Sequence, residues 1–204
     1  MDQNLRGYSR INMHSDFLEI ATQFKEFKVR KKRLVADMAA GYEIFGEPPN
    51  QTFLFHKHDD VVAGEQVITL EVIKAVVFLA MYCEAYIWDL GASILGDQYA
   101  KKYLDKLDTF SKWVVIPRML FGKGLDTGHH SMEKLRELIR WRNEFVHAKS
   151  KDATDLQRNL AKFQDDFKPL DEKIDLEGIF AGIDELFAQL RHLDPAGYHH
   201  FTWE

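Results

Sequence analysis

The segment Gly64 to Leu95 constrains the fold of this chain more than any other part of it. Val67, Ile68, Leu70, Val72, Ile73, Val76, Val77, Phe78, Leu79, Met81, Tyr82, Tyr86, Ile87, Trp88 and Leu90 follow one another too densely for a helix with one wet face. The expectation is a helix buried all round, in the middle of a bundle or at a dimer interface. Its longest apolar run, Ala75 to Ala85, is too short to span a bilayer. Glu84 interrupts that run, with Val77, Ala80, Met81, Ile87 and Trp88 on its side of the helix. A carboxylate in such company needs a partner, and Arg142 is the obvious cation.

The rest of the chain reads as further helices around this one. Phe17, Ile20, Ala21, Phe24, Phe27, Leu34, Val35 and Met38 recur at helical spacing between Asp16 and Phe45, with Ser15 as a plausible N-cap. Gly46-Glu47-Pro48-Pro49-Asn50 stops that pattern. After Gly96-Asp97 a shorter helix is expected over about Gln98 to Leu107. Ser111 is a candidate cap for another that reaches Leu120 with Pro117 interrupting it. Phe121 to Gly128 reads as a loop, and Ser131 as the cap of a helix carrying Leu135, Leu138, Ile139, Trp141, Phe145 and Val146. Two more helices are expected, from Ala153 to Phe167 and from Leu176 to about His192 before Asp194-Pro195. Few prolines and glycines and no run of short alternating strands make the class all-α.

Composition narrows the function classes. One cysteine, Cys83, excludes an intramolecular disulfide framework and fits a reducing compartment. The first residues lack the pattern of a secretory signal, so the expected location is cytoplasmic, with no membrane partner. A net charge of −5 argues against a surface that grips long nucleic acid through many phosphates, yet leaves room for a compact site. Local basic clusters exist at Lys25 to Arg33, readable as a solvated helix face or a nucleic-acid contact, and at Lys134, Arg136, Arg140, Arg142, Lys149 and Lys151. His56/His58, His129/His130 and His199/His200 lack the spacing and cysteine company of a zinc site, and no phosphate-binding glycine loop is present. Neither a metal nor a cofactor is expected.

The second basic cluster surrounds Arg142-Asn143-Glu144-Phe145-Val146-His147. Arg140 stands at a comparable spacing from the same His147. Histidine, with an unperturbed pKa near 6.5, suits proton transfer near neutral pH. Arginine suits phosphate, and Asn143 could orient either the imidazole or the phosphate.

Three ordered stretches, VVFLAMYCEAYIWDLGASILG, LDKLDTFSKWVVIPRMLFGKG and MEKLRELIRWRNEFVHAK, resemble the HEPN superfamily. Its ribonuclease members carry Arg, four to six residues, then His near a helix end, commonly with Asn after the Arg. The resemblance implies an all-α HEPN-like bundle with a long central apolar helix and additional N- and C-terminal helices. One domain would cover 1–204, with a core at about 64–150, an N-terminal extension at 1–60 and C-terminal helices at 151–204. The function it implies is a metal-independent endoribonuclease leaving a 2′,3′-cyclic phosphate and a 5′-hydroxyl, in a toxin or a phage-defence effector. Arg142, Asn143 and His147 would be catalytic, with Glu84, Arg140 and Lys149 in support. RNA would be the substrate, and an antitoxin or other protein a partner. The alternative is a non-catalytic HEPN-like dimeric module that binds RNA, a nucleotide or a protein.

Helix geometry bears on this site. At about 100° per residue, Asn143 and His147 lie about 40° apart around a helix, whereas Arg142 and His147 lie about 140° apart. Either the helix unwinds near Val146, or two copies of the motif meet across a dimer, the arrangement usual in the family; a homodimer is the expectation.

Overall fold

The computed structural model describes residues 15–24, 26, 27, 29, 51–147 and 170–194; for 51–66, 68, 170 and 171 the description covers the backbone. Every regular element among them is a helix. Residues 15–24 form α1. Then come α2 (Gln51–Leu95), the single turn α3 (Asp97–Tyr99), a π-helical turn (Ala100–Leu104), α4 (Thr109–Phe121), α5 (His130–Val146), α6 (Leu170–Lys173) and α7 (Leu176–Leu193). The stretches 46–50, 153–167 and Pro169 lie outside the described residues.

The central helix extends further back than its apolar pattern, to Gln51, and is 45 residues long. Its burial is one-sided rather than complete. Val72, Val76, Leu79, Cys83, Tyr86, Ile87 and Leu90 face the core, while Val67 and Leu70 are 49% and 59% exposed. High hydrophobicity on every side is therefore not matched by neighbours on every side among the described residues. Phe17 of α1 covers part of the remaining flank through Phe78, with ring centres 5.9 Å apart. Gly91 lets the helix approach its neighbours: a Cβ there would stand 2.9 Å from Leu104 Cδ1. At Gly96 the chain enters the left-handed region (φ 88°) and α2 ends, as its glycine suggests.

Beyond Gly96 the expected short helix is instead one α-turn followed by the π turn, which buries Ala100 and Leu104. Two further expectations fail. The N-cap of α4 is Asp108, not Ser111: the Ser111 N–H and hydroxyl both donate to the Asp108 carboxylate, at 3.0 and 2.6 Å. These bonds hold the Asp108 carboxyl below its ordinary range. Pro117, in turn, lies inside α4 without breaking it. A proline within a helix costs about 3 kcal/mol, and here Pro117 is buried beside Trp113 and Ile116 of the core, so packing offsets the missing bond. The left-handed Gly122 (φ 70°) then ends α4.

Buried side chains of α1, α2, α4, α5 and α7 form one continuous core. At its centre Phe187 of α7 sits against Tyr82, Tyr86 and Trp113, with ring centres 4.9, 4.6 and 5.1 Å away. Trp113 is fully buried and donates its indole N–H to the Cys83 carbonyl at 3.1 Å. Burial pushes the Cys83 thiol and the Tyr82 hydroxyl well above their ordinary pKa values, so both stay neutral. No described helix is long and apolar enough to cross a membrane.

Candidate functional site

The motif helix α5 is held at its start by a histidine rather than by the expected serine. His129 is the N-cap: its Nδ1 accepts from the Ser131 N–H at 3.3 Å, and Ser131 is buried beneath it. Gln189 of α7 stands 2.8 Å from the same Nδ1 and donates to the Ser131 hydroxyl at 3.3 Å, which ties the start of α5 to α7. Lower down, Lys134 donates to Glu137 within α5 and to Asp175, the N-cap of α7, each at 3.0 Å. The Gly178 N–H is the larger influence on Asp175 and Lys134 the second; together they hold its carboxyl below the ordinary range. Gly182 lies so close to Lys134 that a Cβ there would come within 2.6 Å of Lys134 Cβ and Cγ.

With Met132, Leu135 and Leu138 buried, helical spacing turns Arg136, Arg140, Asn143 and Glu144 to the other side of α5, where all four are exposed. The helix stops at Val146, and His147, exposed, is its C-cap (φ −109°, ψ 22°) with its N–H on the Asn143 carbonyl at 2.9 Å. Arg136, Ile139, Arg140, Asn143, Glu144 and His147 line one open groove, floored from α4 by Phe110. The Arg136 guanidinium lies over the Phe110 ring, 4.3 Å from its centre, and that of Arg140 over Trp141 at 5.1 Å. Arg140 and His147 are seven positions apart, which on an α-helix is about 20° of rotation.

Arg142 is absent from that groove. It lines a second one, with Phe17, Met81, Glu84, Ala85, Trp88, Asp89, Asp105 and Lys112. The helix end at Val146 therefore does not place Arg142 and His147 on one surface. Arg142 instead donates to the Asn143 side-chain oxygen at 3.0 Å. Nor is it the ion-pair partner of Glu84: that partner is Lys112, 4% exposed, with Nζ–Oε1 at 2.9 Å. Burial acts to raise the pKa of Glu84, but the Lys112 bond and charge, a bond from Thr109 and the more distant Arg142 outweigh it, and the carboxyl is held below its ordinary value. The Lys112–Glu84 pair joins residues 28 positions apart, so local spacing carries no sign of it.

Of the expected site residues, then, Asn143, His147 and Arg140 share one groove, Glu84 and Arg142 the other, and Lys149 lies outside the described residues. Arg136 and Phe110 join the first group. The signal for Arg136 was present in the sequence as the series 136, 140, 143, 147, one helix face; nothing local marked Phe110, which arrives from another helix. Among the described residues no group of three or more His, Cys, Asp or Glu is placed to hold a metal ion. Comparisons with protein-family models, with curated proteins and with solved structures find no match to this chain.

Proposed function

We propose that this chain is a metal-independent endoribonuclease of HEPN type, acting in the cytoplasm as a toxin or phage-defence effector, with Arg140 rather than Arg142 as the arginine that serves His147. The observation that carries the reading is the single groove lined by Arg136, Arg140, Asn143 and His147. Arg140, always charged and exposed, receives a phosphate and offsets the charge that builds on its oxygens. His147 takes the proton of a ribose 2′-hydroxyl as that oxygen attacks the adjacent phosphorus. The bond from phosphorus to the 5′-oxygen breaks, that oxygen receives a proton, and the products are a 2′,3′-cyclic phosphate and a 5′-hydroxyl. A homodimer with facing α5 helices would supply a second copy of the histidine as the acid. Light scattering should then give a mass near twice 23.8 kDa.

The second reading, a non-catalytic HEPN-like dimeric module that binds RNA, a nucleotide or a protein partner such as an antitoxin, is favoured by one contact. The Arg142 bond to Asn143 engages both residues with each other, as a structural pair would. Incubation of the purified protein with mixed RNA in EDTA separates the two, beside His147→Ala, Arg140→Ala and Arg142→Ala. The nuclease reading expects cleavage by the wild type, a loss of about a hundredfold or more for His147→Ala and Arg140→Ala, and retention of most activity by Arg142→Ala. No cleavage by the wild type, or equal cleavage by all four proteins, sinks it. Loss with Arg142→Ala but not with Arg140→Ala returns the phosphate role to Arg142.

A further inference from the structure

We propose that Arg136, resting on Phe110, is a stacking platform for one unpaired nucleobase, so that the groove takes single-stranded rather than duplex RNA. The proposal deepens the ribonuclease reading and rests on it for the nature of the polymer. The Arg136 Cζ stands 4.3 Å over the Phe110 ring, and Arg136 is exposed and Phe110 half-buried, so the guanidinium rests on the ring and is still reached by solvent. A guanidinium is planar and weakly hydrated on its faces, and both aromatic rings and nucleobases stack on it. Contact with the ring restrains a side chain that would otherwise lose several rotamers on binding. Among the described residues, neither Arg136 nor Arg140 is ion-paired, so both charges are open to a ligand.

The layout along α5 fits a strand. From Arg136 to His147 the helix rises about 16 Å. Arg136 stands at the far end from the histidine, with Arg140 one turn nearer to it, and the floor between is apolar, made by Phe110 and Ile139. A base stacked on Arg136 brings its strand across Arg140 toward His147. In a duplex the base faces are taken up by their neighbours, and A-form RNA offers side chains only a shallow minor groove and its backbone. The platform is then unused, and duplex binding reduces to phosphate contact.

The test is fluorescence anisotropy in EDTA with a labelled RNA strand methylated at every 2′-oxygen, which removes the attacking hydroxyl and makes the probe uncleavable. The same strand is measured alone, annealed to its complement, and with its bases deleted over the central residues. Arg136→Lys keeps the charge and removes the plane; Phe110→Leu keeps an apolar floor and removes the ring; circular dichroism checks that both fold. Expected are binding of the single strand in preference to the duplex, a loss of about tenfold for that strand in each variant, and duplex binding unchanged by either. Equal binding of the single strand by wild type and Arg136→Lys, or equal binding of the base-deleted strand by the wild type, overturns the proposal. The two readings fail separately. A protein that binds the probe through Arg136 but never cleaves unmodified RNA loses the nuclease reading and keeps the platform; one that cleaves while Arg136→Lys binds normally loses only the platform.

Discussion

Glu84 answers to pH through Lys112. Its folded carboxyl is more acidic than its ordinary value of 4.5, so the folded chain takes up that proton less readily than the unfolded one. The stability that follows is complete above pH 4.5 and is lost as pH falls through the lower folded value. Replacing the carboxylate by an amide leaves Lys112 buried without a counter-ion. Breaking a fully buried pair costs about 3–5 kcal/mol, but the Glu84 side chain is 39% exposed, and screening reduces the expected cost of Glu84→Gln to about 1–2 kcal/mol at neutral pH. Urea unfolding of both proteins from pH 7 to pH 3 should show that gap closing as the pH drops, since a protonated Glu84 resembles the amide. A gap that stays constant would mean that the pair does not set the response.

The closest packing of the motif helix is against α7, and it depends on a glycine. At Gly182 a Cβ would meet Lys134 at its Cβ and Cγ, near the root of the side chain, where no rotamer change gives relief. Alanine gains up to about 1 kcal/mol in helix propensity over glycine. Forcing the helices apart costs about 1–3 kcal/mol, and also strains the Lys134 bond to the cap of α7. Gly182→Ala should therefore lower the urea midpoint, by a net amount of about 1 kcal/mol, instead of raising it as a solvent-facing glycine in a helix would. The element was legible beforehand: Leu176, Ile179, Ile183, Leu186 and Leu190 spell out α7 by period alone, and all are buried. The bonds that position it were not. Gln189 with His129 and Lys134 with Asp175 join residues 60 and 41 positions apart, and the cap of α5 is a histidine that no common capping preference singles out.

At the scale of the molecule, stability converges on the ring cluster where α2, α4 and α7 meet. Phe187 touches three aromatic rings from two other helices and is 5% exposed. Phe187→Ala should cost about 3–5 kcal/mol and lower the melting temperature on the order of 10 °C in calorimetry. A loss of only a degree or two would mean that the three rings close over the space. Both grooves are built on this scaffold, one on each side of α5, so each inherits its shape from packing well away from its own side chains.

Helical period and apolar density were enough, from the sequence alone, to establish the all-α class, the central helix as far as Leu95, the glycine stop after it, and α5 and α7. They also separated Arg142 from Asn143 and His147 by angle, because rotation per residue is a local property of any helix. The same rotation sets Arg136 and Arg140 on the face of His147; tertiary structure alone decided that Phe110 joins them and what surrounds Arg142. Angle left Arg142 free to join a second chain or a distorted helix end; the position of α2 and α4 beside α5 put it in the groove of Glu84 and Lys112, and left Arg136 and Arg140 with Phe110 and the histidine. The reason is range: backbone rotation is set within a turn, whereas the partner of a charged side chain is whichever group the packed helices bring within a few ångströms, at no fixed distance in sequence.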